Sequence, residues 1–200
     1  KVDASGRLPI SFPIRAAQLP RPSAVLPAGV TALTDASSNA GVVDTGNLAP
    51  FPVDYSEGSN VGYRWYEKTR ATPLFAFGHG LSYTRFEISA PRLSAAKIGV
   101  AGSVGVEVDV ANVGQRAGDE VVQVYVRDQV SSVARPLLEL KGFERVTLAP
   151  GERRTLRFTL GPDAFALWDV DMREVVEPGL FTIMAGPSSA QLKSAILEIA

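Results

Sequence analysis

A strict alternation of apolar and polar residues constrains the fold of this chain more than any other feature. Four valines alternate with small or polar residues in one short segment: Val104, Val106, Val108 and Val110. This period of two places them on one face of a β-strand. It recurs at 122–126 and 156–160, and turn signals such as Pro178-Gly179 separate the segments. The pattern predicts an antiparallel sandwich from about residue 86 to 200, with no helix of ordinary length.

Charge and composition exclude several kinds of site. The 20 Lys and Arg residues nearly balance 21 Asp and Glu, which leaves no basic field for nonspecific nucleic-acid binding. The absence of cysteine, with a single histidine, excludes disulfides, cysteine nucleophiles and metal sites built from thiolates or several imidazoles. No run of eighteen apolar residues is present, so no membrane-spanning helix is predicted. We expect no metal and no cofactor.

The first part of the chain has little with which to form a core of its own. Residues 1–53 are poor in charge and rich in Pro, Ala, Ser and Gly. Residues 8–13 predict a short edge strand, because proline cannot donate to a sheet ladder. Residues 15–33 are typical of an extended connector and 35–46 of a loop. We therefore expect this stretch to lie on another surface.

The next segment, 54–86, is much richer in aromatic residues than a plain linker. Its eight aromatic side chains are Tyr55, Tyr63, Trp65, Tyr66, Phe75, Phe77, Tyr83 and Phe86. Aromatic side chains bury large areas, so part of this segment should be pinned against a larger surface. His79 lies between Gly78 and Gly80, a setting that predicts a hydrogen-bonding turn residue and not a catalyst. Both glycines are expected to accept a positive φ at a sharp bend.

Several motifs, in order along the chain, resemble the C-terminal part of glycoside hydrolase family 3. SGRLPISFP (5–13) resembles the end of that family's α/β sandwich domain, and DYSEG (54–58) with VGYRWYE (61–67) resembles the segment that follows it. PLFAFGHGLSYT (73–84) is similar to the passage into the family's fibronectin type III-like domain. Further matches to that domain follow in order: NVG (112–114), GDEVVQVYV (118–126), RP (135–136) and ELKGF (139–143).

The resemblance implies a mainly β chain in two parts. Residues 86–200 would form the fibronectin type III/immunoglobulin-like antiparallel sandwich. Residues 1–85 would form an extended arm and linker that complete an α/β domain supplied elsewhere. The implied function is that of the C-terminal portion of a retaining β-glycosidase, which packs on the catalytic domains and stabilises them. The implied partners are the N-terminal barrel and α/β domains, in the same or a separate chain, and a glycoside substrate.

The resemblance also implies that this chain carries no catalytic residue. Retention requires two carboxylates roughly 5 Å apart, one as nucleophile and one as acid/base. In this family the nucleophile is an aspartate of the barrel, and the acid/base is usually a glutamate upstream of the matched segments. We therefore expect the chain to be inactive by itself.

Asp54 and Glu57 are not expected to form a catalytic pair. Two side chains so close along one loop would not reach opposite faces of a sugar. A structural role is expected for them, such as binding backbone N–H groups or Arg64. Alternatively, one of them touches sugar hydroxyls at the rim of the active site, with Arg64 and Trp65 as further substrate-binding candidates.

The aromatic residues Tyr63, Trp65 and Tyr66 leave two interpretations open. They form either a sugar-stacking platform or, as we expect, anchors in an interface between domains. Within the sandwich, Tyr125 and Trp168 are predicted to be packing residues.

Two charged clusters in the sandwich are predicted to have no site of their own. Arg153, Arg154 and Arg157 predict a solvated sheet face and no nucleic-acid site. Asp169 and Asp171 alone are a poor signal for calcium.

A second function remains open on the sequence alone, that of a freestanding carbohydrate-binding or adhesion sandwich. Exposed aromatic side chains on the sandwich itself would favour it, whereas the aromatic residues concentrate before residue 86. The chain has neither an initiator Met nor a signal peptide, which suggests a mature form or an internal fragment. A periplasmic or secreted location is expected from the resemblance, and a cytoplasmic one stays possible.

Overall fold

The structure is a computed structural model that describes residues 2–21, 55 and 57–200. Within these ranges it contains one α-helix, α1 (Tyr63–Thr69), and eleven β-strands. The strands are β1 (Phe86–Ile88), β2 (Arg92–Leu93), β3 (Lys97–Ile98), β4 (Val104–Asn112), β5 (Gly118–Asp128), β6 (Glu139–Leu148), β7 (Arg153–Leu160), β8 (Leu167–Trp168), β9 (Glu174–Val175), β10 (Gly179–Ser188) and β11 (Gln191–Ile199). After Phe86 the one helical segment among the described residues is a short 3₁₀ turn at Pro162–Ala164, in agreement with the prediction that this part has no helix of ordinary length.

Two sheets form the sandwich. In the first sheet, β4 pairs with β7 along one edge and with the short strands β1 and β2 along the other. The second sheet has the order β3-β11-β10-β5-β6. All pairs are antiparallel except β3 with β11, which is parallel. Strands β8 and β9 form a separate two-stranded ribbon. The predicted mainly β sandwich is confirmed. It differs from the prediction in one respect, since the edge strand β3 pairs with β11 in parallel and not antiparallel.

The core lies between the inward faces of the two sheets. All four alternating valines of β4 have no exposed surface, as their period of two predicts. Residues from β10 face them across the core, and the Phe181 ring meets Phe165 edge-on at a centroid distance of 5.2 Å. Burying a side chain of this size contributes about 1.5–3 kcal/mol. These contacts explain why the sandwich needs no disulfide.

The outer face of β5 differs from an ordinary solvent-facing sheet surface. Gln123 and Tyr125 point away from the core valines of the same strand, yet they are 4% and 0% exposed. Alternation alone would leave this face in solvent. It is buried because the residues before Phe86 cover it, as described below. The packing role predicted for Tyr125 is therefore confirmed.

Other predictions for the sandwich have mixed outcomes. The arginines of β7 are exposed, and Arg157 pairs with Glu107 at 3.0 Å, so the predicted solvated face is confirmed. Trp168 was expected to be a packing residue, but this prediction is wrong. Its side chain is 57% exposed because β8 belongs to the small β8–β9 ribbon and not to the core sheets. Asp169 accepts hydrogen bonds from the backbone N–H groups of Asp171 and Arg173, which closes the turn of that ribbon.

Candidate functional site

The described residues before Phe86, here called the arm (2–21, 55 and 57–85), lie against β5 and β6. Their contacts define the candidate functional site, which is an interface between parts of the chain. Besides the bonds of the Thr84 hydroxyl to Asn112 on β4 (2.7 Å) and of the Ser189 N–H to the Phe77 carbonyl (2.9 Å), the arm meets β5 and β6 at three places. These are the start of β5, the middle of β5 near Gln123, and the start of β6 near Leu140.

The first contact is made by the carboxylate of Asp3. It accepts hydrogen bonds from the backbone N–H of Tyr83 at 2.8 Å, from the hydroxyl of Ser82 at 2.9 Å and from the backbone N–H of Asp119 at 3.2 Å. Burial alone would raise the pKa of Asp3, but these hydrogen bonds outweigh burial and lower it below its usual value. The Asp3 carboxylate therefore joins the two ends of the arm to β5.

This contact is expected to weaken in acid. A carboxylate whose pKa is lowered on folding stabilises the fold above its unfolded pKa, and that contribution is lost as the pH falls through the folded pKa. Below about pH 4, hydrogen-exchange protection factors of the amides of residues 82–84 should therefore decrease. Asp3→Asn should remove most of this pH dependence at those amides. If the variant keeps the full pH dependence, another carboxylate, such as Asp119, controls the contact.

A second contact at the start of β5 is an ion pair between Arg7 and Glu120. The guanidinium Nη2 and Nε lie 2.7 Å and 3.0 Å from the same carboxylate oxygen of Glu120. Nη2 also donates to the backbone carbonyl of Asp119 at 3.2 Å. The two side chains are only 9% and 10% exposed, so this pair is shielded from water far more than an ordinary surface pair.

The two halves of the arm are joined by backbone hydrogen bonds. Leu8 donates to the carbonyl of His79 at 2.9 Å, and Phe12 donates to that of Phe75 at 2.8 Å. The predicted edge strand at 8–13 is reduced to a single antiparallel bridge between Phe12 and Phe75. The His79 ring packs on Phe75 with centroids 4.8 Å apart, and its backbone N–H donates to the Ala76 carbonyl at 3.0 Å, which closes the turn.

The two glycines beside His79 are required for different reasons. Gly78 has φ +86°, as expected, and a Cβ there would lie 2.9 Å from the carbonyl oxygen of Pro187. Gly80 was also expected at a positive φ, but this is wrong, since its φ lies outside that region. It is needed for close approach, because a Cβ would lie 2.5 Å from the carbonyl oxygen of Gly6.

The contact at the start of β6 is made by α1, which is preceded by Gly62 at φ +58° and followed by Arg70 in the left-handed region at φ 55°. The Tyr63 ring packs edge-on against Tyr125, with centroids 5.7 Å apart, and its hydroxyl accepts a 2.9 Å hydrogen bond from the backbone N–H of Leu140. Tyr63 therefore anchors α1 to β5 and β6, which is the interpretation favoured on sequence.

The other two aromatic residues of α1 have different surroundings. The Trp65 Nε1 donates to the backbone carbonyl of Gln18 at 2.8 Å, which ties α1 to the first half of the arm. Tyr66 is 7% exposed and is the buried residue of the helix. Burial raises the pKa of its hydroxyl.

Three of the four rim candidates, Glu57, Arg64 and Trp65, belong to the described residues. Asp54 lies outside the described residues. Glu57 is 3% exposed and pairs with Arg21 at 2.9 Å, whereas backbone N–H groups or Arg64 were expected as partners of Asp54 or Glu57. For Glu57 the Arg64 alternative is wrong, since the Arg64 guanidinium lies near the Tyr63 ring, 6.0 Å from its centroid. The second carboxylate oxygen of Glu57 is buried without a hydrogen-bond partner among the described residues.

Sequence reasoning did not single out Asp3, Arg7 or Arg21, all of which hold the arm in place. Charged residues are rare in 1–53, and these three are each paired within the structure. The available signal was that each of these charged residues stands alone in a segment with few charges.

In the described ranges, no group of three or more His, Asp or Glu side chains is placed to hold a metal ion. The same ranges contain no helix long and apolar enough to cross a membrane.

The chain is similar in sequence to a known domain family and to several known proteins. The family model of the fibronectin type III-like domain matches residues 120–189. A β-xylosidase of Formosa agariphila is 50% identical over 149 residues, which is 72% of this chain and 20% of the relative. A periplasmic β-glucosidase of Salmonella typhimurium is 35% identical over 195 residues, which is 98% of this chain and 23% of the relative.

A solved structure shows a similar arrangement of arm and sandwich. The GH3 β-glucosidase of Bifidobacterium adolescentis is 32% identical and superposes with a TM-score of 0.78, over 99% of this chain and 26% of that chain. The chain thus spans about a fifth to a quarter of the length of the relatives it matches.

Proposed function

This chain is homologous to the C-terminal region of the β-glucosidases and β-xylosidases of glycoside hydrolase family 3, and from this homology we propose that it forms the C-terminal portion of a retaining β-glycosidase. The enzyme would act on terminal β-linked glycosides. This portion would stabilise the catalytic domains by packing on them, and it would be inactive without them. The arm, up to about residue 85, would complete their α/β domain, and residues 86–200 would form the fibronectin type III-like domain.

The observation that carries this proposal is the distribution of exposed apolar side chains. Within the described residues, eleven of the twenty exposed large hydrophobic side chains belong to the arm, although the sandwich is more than twice as long. Leu74 is 56% exposed and Leu81 is 73% exposed, for example. Exposed apolar side chains concentrated in one segment in this way favour an interaction site there. Other residues of the arm contact the sandwich, and we infer that these exposed side chains receive the catalytic domains.

The proposal extends to the rim of the active site. Arg64 and Trp65 are half-buried on α1 and keep part of their surface accessible, so they are the better candidates for contact with the aglycone side of the substrate. Glu57 is buried and neutralised by Arg21, which favours a structural role for it. With this function we expect a periplasmic or secreted location, and the Salmonella relative, which is named as periplasmic, supports this expectation.

A matched pair of substitutions tests the proposed interface. The chain combined with its catalytic domains is expected to hydrolyse aryl β-glycosides, and the chain alone is not. Leu74→Asp should weaken association with the catalytic domains at least about tenfold, because an unpaired carboxylate would be buried in the interface. Ile196→Asp on β11 is the control, since Ile196 is similarly exposed (51% against 56%) but lies outside the arm. Equal effects of the two substitutions, or no association, would contradict the proposal.

One observation favours the alternative of a freestanding carbohydrate-binding module. Trp168 and Phe143 are 57% and 69% exposed on the sandwich itself, and exposed aromatic faces suit sugar rings. Calorimetric titration of the chain with glucan and xylan oligosaccharides separates the two functions. Binding that disappears in Trp168→Ala would favour the module, whereas absence of binding would leave the interface role.

A further inference from the structure

A cleft of about 280 Å³ lies beside α1, between the arm and the sandwich. Residues from both halves of the arm line it, together with residues next to β6 and β10. Six of them carry the argument: Ser11, Tyr63, Tyr66, Pro73, Leu138 and Ser189.

Two hydroxyl groups in the lining are buried without partners. The Tyr66 hydroxyl and the Ser11 hydroxyl are shielded from solvent, and neither has a hydrogen-bond partner among the described residues. A buried polar group left unsatisfied costs about 1–3 kcal/mol. Other polar groups that hold the arm, such as Asp3 and Arg7, are well bonded. Two unsatisfied hydroxyls that line one cleft therefore favour a bonding group beyond the described residues.

The chemistry of the cleft selects the kind of group. A hydroxyl both donates and accepts hydrogen bonds, so two neutral hydroxyls suit the N–H and C=O groups of a peptide backbone. Glu67 of α1 and Arg70 at its C-terminal end also line the cleft, so its lining is mixed. Next to its lining residues in sequence, Ile10 and Phe12 flank Ser11 and Leu74 follows Pro73, and all three are exposed apolar side chains. The relatives are also four to five times longer than their match to this chain, which leaves ample polypeptide to occupy it.

We propose that this cleft is a docking site for an uncharged backbone segment of the catalytic domains, which bonds to the hydroxyls of Tyr66 and Ser11. This inference rests on the proposed function, because the segment belongs to the catalytic domains named there. The hydroxyl of Tyr66 is then a positioning group for the interface, and the apolar side chains around the cleft exclude water from its hydrogen bonds.

Tyr66→Phe removes only the hydroxyl and tests this site directly. Hydrogen exchange of the α1 amides should be measured in the chain alone and in the chain combined with its catalytic domains. In the combined protein, the variant should exchange about fivefold to tenfold faster than the wild type, as expected for one lost hydrogen bond. In the chain alone, it should exchange at the wild-type rate or more slowly, because the hydroxyl has no partner there. Ser11→Ala should behave in the same way.

Ser194→Ala is the matched control for Ser11→Ala, since Ser194 is exposed on β11, outside the arm, and the same atom is removed. It should leave exchange of the α1 amides unchanged in both forms. An equal effect of Tyr66→Phe with and without the catalytic domains would overturn the docking site and indicate an internal water or a local contact. Failure of the catalytic domains to slow α1 exchange in the wild type would instead count against the proposed function itself.

Discussion

Replacing Gly78 with alanine is expected to lower the free energy of unfolding by about 2–4 kcal/mol and to loosen the arm from the sandwich. Gly78 has φ +86°, which alanine adopts only with strain. A Cβ at this position would also lie 2.4 Å from the Gln123 amide nitrogen and 2.9 Å from the Pro187 carbonyl oxygen. The Gln123 side chain can move aside, but the backbone of β10 cannot. The strain and the clash therefore act together where the arm crosses β5.

Gly58→Ala separates these two causes. Gly58 also has a positive φ, of +57°, but among the described residues beyond its chain neighbours no atom lies within 4 Å of the position that a Cβ would take. Backbone strain alone should cost about 1–2 kcal/mol there. Denaturant unfolding of both variants gives the comparison, and hydrogen exchange of the arm amides shows whether the arm is released. If the two variants are equally stable, close packing at Gly78 contributes nothing and the arm is held elsewhere.

Short-range pattern was sufficient to predict the sandwich. The valines of β4 need only a period of two and one buried face, and both are visible in a few consecutive residues. The turn at His79 was visible for a similar local reason, since two glycines flank a single residue. For Gly80, the sequence showed the need for glycine but not its cause, because the close approach comes from Gly6, more than seventy residues away in sequence.

Contacts between distant segments could not be predicted in this way. Arg7 and Glu120 are 113 residues apart, and no periodicity relates them. Backbone N–H groups or the nearby Arg64 were expected as partners of Glu57 because proximity in sequence was the available guide, whereas the fold supplies Arg21. The burial of Tyr125 likewise depends on Tyr63, which belongs to a segment with no core of its own. The candidate site consists mainly of such contacts, so its chemistry was less predictable than its fold.

Arg7→Ala is expected to be the most destabilising change in the arm, at about 3–5 kcal/mol, because it leaves the carboxylate of Glu120 buried without a countercharge. Both side chains of this pair are about nine-tenths buried. The pair of Lys97 with Glu198 provides the control, since its N–O distance of 2.6 Å is similar to the 2.7 Å of the Arg7 pair but its side chains are 59% and 48% exposed. Lys97→Ala should therefore cost less than about 1 kcal/mol.

The double variant Arg7→Met with Glu120→Leu identifies the source of this cost. If the penalty of Arg7→Ala arises from an uncompensated buried charge, replacing both partners by apolar side chains should restore most of the lost stability. If Arg7 acts mainly through its hydrogen bond to the Asp119 carbonyl, the double variant should stay as unstable as Arg7→Ala. Equilibrium unfolding of the three variants distinguishes the two cases. Restored stability would also show that the arm needs shape and burial, and not charge, at the start of β5.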